Sequence, residues 1–190
     1  MLEQLIEIDK ELFLYLNGLH NPFLDQLMFY ISEKWIWVPL YAFFLYLMWT
    51  KYKKYFWITL IGAAVLVTLS DQIHLHLFKN AFERLRPTHD PTIQHLVHTV
   101  NNYRGGQYGF VSGHATNSFA VAIFVSVLLA GKYKWLTPLL LFWAALVSYS
   151  RIYLGVHFPG DILGGMLLGS FLGILIGVIC KIILVKRRSA

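Results

Sequence analysis

The chain has 190 residues, of which 57% are hydrophobic and only 14% are charged. Soluble domains usually contain about 45–50% apolar and about 25% charged residues. This composition excludes a disordered chain, a coiled coil and an ordinary nucleic-acid-binding domain, although the net charge is +6. The mean hydropathy of +0.55 indicates more apolar surface than a soluble fold of this length can bury, so the excess is expected to face lipid. A single cysteine, Cys180, excludes an intrachain disulfide and a cysteine-based zinc cluster.

The apolar pattern predicts an all-α integral membrane protein in a single domain over residues 1–190. Residues 1–20 place apolar side chains on one helical face and charges on the other, which predicts an amphipathic helix on the membrane surface. About five transmembrane helices follow, since about 20 apolar residues cross a bilayer. The predicted spans are 35–50 (extended backward by 24–31, and interrupted by Glu33, Lys34 and Pro39), 55–78, 115–130, 135–150 and 162–185.

Clusters of lysine and arginine orient this bundle. With five antiparallel spans, all the clusters fall on one side, which the positive-inside rule makes cytoplasmic. They are Lys51, Lys53 and Lys54; Lys132 and Lys134; and Lys181, Lys186, Arg187 and Arg188. The opposite side then receives the outer loop 79–112 and the turn 151–161.

Polar side chains that could bind an anion collect on this outer side. Lys79, Arg86 and Arg151 form a predicted cationic cradle, because guanidinium forks suit phosphate oxygens. Ser112 and Gly113 open a transmembrane helix, whose first turn offers free N–H donors and the positive end of the helix dipole. The alternative is that these charges only snorkel to the interface, but that does not explain their convergence with two histidines.

The histidines complete a site for phosphoryl transfer. Asp161 follows His157 by four residues, so on a helix its carboxylate can hold one imidazole nitrogen and leave the other as a nucleophile. His114 can then protonate a leaving oxygen. The fixed cations neutralise the phosphate charge, so neither a metal nor another cofactor is predicted.

These residues resemble the three-part signature of the type-2 phosphatidic acid phosphatase superfamily of lipid phosphatases. The first part matches Lys79 with Arg86-Pro87, and the last matches Ser150-Arg151 with His157 and Asp161, both at the family spacing. The middle part reads Val111-Ser112-Gly113-His114, with Val111 in place of the family's proline. The catalytic signature therefore covers residues 79–161.

The resemblance implies an enzyme that forms a phosphohistidine at His157, with Asp161 orienting it and His114 as the proton donor. Phosphoryl oxygens would be bound by Lys79, Arg86, Ser112, Gly113 and Arg151. The implied substrate is phosphatidic acid, phosphatidylglycerophosphate, an isoprenoid diphosphate or a lipid A phosphate, met at the outer, periplasmic face of the inner membrane. A lipid phosphotransferase and a non-catalytic phospholipid-binding protein are the alternatives.

Three features outside the signature complete the prediction. Glycines at 165, 169, 173 and 177 predict close packing of the last helix within the bundle, with a homodimer contact as the alternative. Asp71, His74 and His76 could suggest a metal, but a helix would point these histidines apart. The 79–112 loop is long enough to select a headgroup through Arg84 and Arg104, or to be a solvated connector.

Overall fold

The chain folds as a bundle of helices, seen in a computed structural model. The structure describes residues 1–189, without the side chains of Leu2, Lys79, Asn80, Arg188 and Ser189. The predicted all-α architecture is confirmed. Its α-helices are α1 (Leu2–Asn17), α2 (Pro22–Ser32), α3 (Val38–Tyr52), α4 (Phe56–Gln72), α5 (Asn80–Phe82), α6 (Gly113–Leu129), α7 (Leu136–Tyr153) and α8 (Pro159–Ser189). Short 3-10 turns lie at Lys34–Trp37, Lys53–Tyr55 and Pro87–His89, and a π-helix at Ile73–Lys79 continues α4.

The first predicted span begins later than the sequence suggested. Its backward extension through 24–31 is wrong, because these residues belong to the separate helix α2. Asn21 caps α2 by accepting a hydrogen bond from the backbone N of Leu24 at 2.9 Å. The helix ends at Glu33, whose backbone is extended (φ −76°, ψ 129°). Pro39 then falls in the first turn of α3, where proline costs no helical hydrogen bond.

The apolar helices are those of a membrane protein. Within the described residues, Lys34–Phe78, Leu136–Tyr153 and Pro159–Arg187 are long and apolar enough to cross a bilayer, and Gly113–Leu129 is a shorter apolar helix. The first of these stretches contains both α3 and α4, which are separated by the turn at Lys53–Tyr55.

Contacts between helix ends give the directions of α3, α4 and α6. The Tyr52 hydroxyl at the end of α3 donates to the Leu128 carbonyl near the end of α6, at 2.6 Å. Asn117 near the start of α6 donates to Asp71 near the end of α4, at 2.8 Å. Helix α3 therefore runs alongside α6 in the same direction, and α4 runs opposite to both. The turn between α3 and α4 thus reverses the chain.

A row of glycines lets α8 pack tightly on α6, as the spacing predicted. A Cβ at Gly165 would lie 2.7 Å from the Ser112 carbonyl oxygen, and one at Gly173 would lie 2.6 Å from that of Ala120. No larger residue fits at these distances, so the two backbones approach only because these positions carry no side chain. This packing brings the start of α8 beside the start of α6.

Helix α1 docks on the end of α7 and the start of α8. Phe13 is fully buried, with its ring centroid 5.3 Å from that of Phe158 in an edge-to-face arrangement. The Asn17 amide donates to the Tyr153 carbonyl at 2.8 Å. The apolar face of α1 therefore packs against the end of the bundle that carries the polar residues.

Candidate active site

His157 lies between a carboxylate and a guanidinium just before α8. Its Nδ1 is 3.3 Å from Asp161 Oδ2, and its Nε2 is 3.3 Å from Arg86 Nη1. A guanidinium only donates, so Nε2 accepts, and Nδ1 carries the proton that is donated to Asp161. The ring is 2% exposed. This tautomer directs the Nε2 lone pair toward the arginine side of the site.

Hydrogen bonds and a chain of ion pairs hold Asp161 in place. Its Oδ2 accepts a hydrogen bond from the backbone N of Phe158 at 3.0 Å, and its Oδ1 accepts one from Arg84 Nη1 at 2.8 Å. Arg84 Nη2 also pairs with Asp9 of α1 at 2.6 Å. Asp9 in turn accepts a hydrogen bond from the backbone N of Gly160 at 2.8 Å. Helix α1, the outer loop and α8 are thus linked through one guanidinium.

The outer loop passes directly over the His157–Asp161 pair. A Cβ at Gly109 would lie 2.9 Å from Asp161 Oδ2 and 3.6 Å from His157 Nδ1. Only glycine lets the backbone come this close to the pair. The loop therefore shields the nitrogen that faces Asp161 from solvent.

Arg86 contacts His157 directly. Its Nε donates to the Tyr108 carbonyl at 3.1 Å, and its Nη1 donates to the Val156 carbonyl at 3.2 Å. Burial and the neighbouring Arg151 guanidinium lower the pKa of Arg86 from its ordinary value. The two buried guanidinium groups repel each other, so an anion that binds beside both of them is stabilised.

Arg151, at the end of α7, forms the second side of the cradle. Its Nη2 donates to the Tyr103 hydroxyl at 3.0 Å, and its Nη1 bonds to the Ser32 hydroxyl. The Nε of Arg151 is buried and has no hydrogen-bond partner. A buried donor without an acceptor is unusual, and a bound phosphoryl oxygen would satisfy it.

The start of α6 supplies backbone donors and the second histidine. Ser112 is the N-cap, and its backbone N donates to the Asp161 carbonyl at 3.0 Å. His114 Nε2 donates to the Ser32 carbonyl at 3.2 Å. The position that a Cβ of Gly113 would take lies 2.5 Å from His74 Nε2. These contacts hold the first turn of α6 against α2 and the π-helix.

A cavity of about 620 Å³ extends from this cluster into the apolar bundle. His157, His114, Arg86 and Arg151 line its polar end. Its apolar lining comes mainly from α3, α4, α6 and α7 and includes Trp37, Tyr41, Phe44, Leu45, Met48, Ala63, Leu66, Val67, Val121, Phe124, Val125, Trp143 and Val147. Binding sites for small molecules have this size and this combination of apolar walls with a few polar groups.

The sequence matches known proteins over most of its length. The model of the PAP2 superfamily matches residues 61–183. The chain belongs to the PAP2 superfamily. Among its PAP2 relatives, it is 42% identical over 172 residues to the lipid A 4'-phosphatase of Porphyromonas gingivalis, with 88% of this chain and 71% of that protein covered. It is also 32% identical over 171 residues to an undecaprenyl-diphosphatase of Sulfolobus acidocaldarius, with 88% of this chain and 76% of that protein covered.

Solved PAP2 structures share the fold. The transmembrane PAP2-type phosphatidylglycerolphosphate phosphatase of Bacillus subtilis superposes with a TM-score of 0.70 at 24% identity, covering 94% of this chain and 87% of that one. LpxE of Aquifex aeolicus superposes with a TM-score of 0.62 at 24% identity, covering 87% of this chain and 92% of that one.

All three parts of the PAP2 signature meet at one end of the bundle, and most of the predicted site residues lie there. Arg86, Arg151, His114 and His157 line one cavity, and Ser112 and Asp161 are hydrogen-bonded to each other. Lys79 ends the π-helix, and its side chain lies outside the described residues.

Several residues of this PAP2 site could not be found from the sequence. Asp9 and Ser32 reach it from α1 and α2, and no local pattern marked either of them. Tyr103 and Gly109 lie in the outer loop without a motif of their own. Arg84 was predicted to select a headgroup with Arg104, but both of its terminal nitrogens contact carboxylates instead. Its position two residues before Arg86 was the one available signal.

Proposed function

We propose that this protein is a membrane lipid phosphatase that releases a terminal phosphate through a phosphohistidine at His157. The observation that carries the proposal is a nucleophilic imidazole beside two buried arginines at the polar end of a deep apolar cavity. The phosphate enters the cationic cradle, while the apolar part of the lipid occupies the cavity and the adjoining bilayer. Tyr41, Leu45 and Val67 line the cavity and are exposed, which supports an entrance between α3 and α4.

The reaction takes place in two displacements. His157 Nε2 attacks phosphorus, and the bond from phosphorus to the leaving oxygen breaks. His114 gives that oxygen a proton; because its Nε2 is bonded to the Ser32 carbonyl, Nδ1 is the nitrogen that transfers it. A water molecule then attacks the phosphohistidine, giving its proton to His114, and inorganic phosphate leaves. Asp161 stabilises the imidazolium that forms in the first step.

Fixed cations and backbone donors neutralise the charge that develops on the phosphoryl oxygens. Arg86 and Arg151 bind these oxygens with N–H donors, and the first turn of α6 after Ser112 adds backbone N–H groups. Lys79 is proposed to add a third cation. Because these groups supply the positive charge, chelators are expected to leave the rate unchanged and vanadate to inhibit.

The fold supports a topology of five crossings, formed by α3, α4, α6, α7 and α8. The lysine and arginine clusters then lie on the cytoplasmic side, and the active site faces the periplasm across the inner membrane. Helix α1 lies at the outer surface, where its apolar face covers the site end of the bundle.

Among the lipid phosphates, a phosphorylated glycolipid of the lipid A type is the proposed substrate. Two relatives that match almost nine-tenths of this chain, at 42% and 40% identity, are both lipid A 4'-phosphatases. The undecaprenyl-diphosphatase, which matches a similar share of the chain, is 32% identical.

A substrate panel tests the function. Purified protein in detergent micelles is assayed for phosphate release from lipid A, phosphatidic acid, phosphatidylglycerophosphate and undecaprenyl diphosphate. We expect release without an added acceptor, fastest from lipid A at the 4' position, unaffected by EDTA and inhibited by vanadate. Transfer of phosphate only to an added acceptor would establish the phosphotransferase instead. No release from any of the four lipids, with lipid still bound, would contradict catalysis.

A further inference from the structure

A polar cluster lies in the cavity wall outside the signature residues. Asn117 Nδ2 donates to Asp71 Oδ1 at 2.8 Å, and the Asn117 carbonyl oxygen accepts a hydrogen bond from the Ser70 hydroxyl. His74 Nδ1 donates to the Ser70 carbonyl at 2.8 Å. The Ser70 contact sets the orientation of the amide, and the amide in turn holds Asp71 in one position. His76, by contrast, is exposed, so the two histidines point apart as predicted.

Asp71 is not a buried structural acid. Its side chain is 44% exposed, and it lines the same cavity as the catalytic histidines. Among the described contacts, its hydrogen bond engages Oδ1 alone. An ionisable side chain near the end of a membrane-spanning helix is costly to place there, so its presence points to a function. Among the described residues, the contacts of Asp71 are with Asn117 and His74 and not with an arginine of the cradle.

In the proposed mechanism, the cluster lies on the side of the site that receives the leaving group. In-line displacement places the leaving oxygen opposite His157, on the side of His114. Asn117 is three residues after His114 and so shares its face of α6. His74 packs on Gly113, next to His114. Groups attached to the leaving oxygen are therefore the ones that meet Asp71.

We propose that Asp71, held by Asn117, binds the sugar ring that carries the phosphate and discriminates against diphosphate substrates. This inference rests on the proposed function and narrows its substrate class. A carboxylate accepts hydrogen bonds and cannot donate them, so it suits the hydroxyl and amide N–H groups of an amino sugar. The same charge repels a second phosphate at this position.

The two substrate classes differ in the chemistry of the leaving group. A sugar phosphate leaves as a neutral alcohol on a ring that carries hydrogen-bond donors, whereas an isoprenoid diphosphate leaves as an anionic phosphate monoester. The other charged groups that line the cavity are Arg86 and Arg151 of the cradle and the exposed Lys34, which also lines a second, smaller cavity toward α2. Asp71 is the carboxylate among the lining residues of the main cavity.

The substitution Asp71→Asn tests the proposal through the ratio of kcat/KM for the two substrates. The variant keeps the size of the side chain but loses the charge and half of its acceptors. We expect kcat/KM on lipid A 4'-phosphate to fall at least about tenfold, and that on undecaprenyl diphosphate to stay constant or rise. Asn117→Ala, which removes the support of Asp71, should shift the ratio in the same direction by a smaller factor. Asp90→Asn, a matched change in the outer loop outside the cavity, should leave the ratio unchanged.

An unchanged ratio in Asp71→Asn, or an equal fall on both substrates, would overturn the inference. Failure of the proposed function looks different, because wild-type protein would then release phosphate from neither lipid. The preference can also be measured without turnover, as binding of each lipid to protein carrying His157→Asn. Adding Asp71→Asn to that protein should weaken binding of the glycolipid phosphate and leave binding of undecaprenyl diphosphate unchanged. If the single and the double variant bind the glycolipid phosphate equally, the proposal is contradicted.

Discussion

Replacement of His157 by Asn should reduce phosphate release by about 10³-fold or more while lipid binding persists. The amide has no nucleophilic nitrogen, so the first displacement cannot take place, although Arg86 and Arg151 still hold the phosphate. Asn can also keep a hydrogen bond to Asp161, which limits structural damage. Initial rates of phosphate release and lipid binding, measured on the same purified preparation, give the two quantities.

The matched control is His95→Asn, which makes the same change at an exposed histidine of the outer loop. It should release phosphate at the wild-type rate. A His157→Asn protein that retains a substantial fraction of the wild-type rate would show that another group attacks phosphorus.

Replacement of Arg84 by Gln should lower kcat by about 10²-fold and change KM little. Arg84 does not line the cavity, but it neutralises the buried Asp161 and joins it to Asp9 of α1. A buried carboxylate that loses its partner reorganises or destabilises its surroundings, so His157 would no longer be held in its reactive orientation. Rates measured across a range of lipid concentrations separate kcat from KM.

Two further variants distinguish this positioning role from general destabilisation. Arg84→Lys should recover part of kcat, because one ammonium can pair with Asp161 but cannot form the two-sided bridge. Arg104→Gln is the matched control, since Arg104 bonds only to loop groups of Thr88 and Gln94 among its described contacts. A loss of activity in Arg84→Gln that appears only as a higher KM would contradict the assignment. An equal fall of kcat in Arg104→Gln would also contradict it.

The helices could be predicted because each depends on local sequence. Runs of apolar residues gave α4, α6, α7 and α8 nearly at their observed bounds, and glycine spacing gave the packing of α8 on α6. The error at α2 arose because hydropathy does not register a break between two apolar helices. Asn21 and Glu33 interrupt helical geometry by capping and by an extended backbone, yet the residues between them are apolar.

The site was partly predictable for a similar reason. Residues that touch the reacting groups lie in compact segments with fixed spacing, so His114, His157 and Arg151 could be found from the sequence. Residues that support them act at long range: Asp9 meets Arg84, and Ser32 meets Arg151 and His114, only because α1 and α2 fold over the bundle end. No spacing rule connects such pairs.

The most direct test of the mechanism is a rapid-quench experiment with phosphate-labelled lipid. Wild-type protein is mixed with substrate, quenched in alkali, in which phosphohistidine survives, and digested for mass spectrometry across the first turnover. With protein in excess over substrate, we expect a phosphoryl group on His157 that forms and then decays within the single turnover. A first turnover that releases phosphate with the label on a different side chain, or with no label on the protein at any time, would contradict the account.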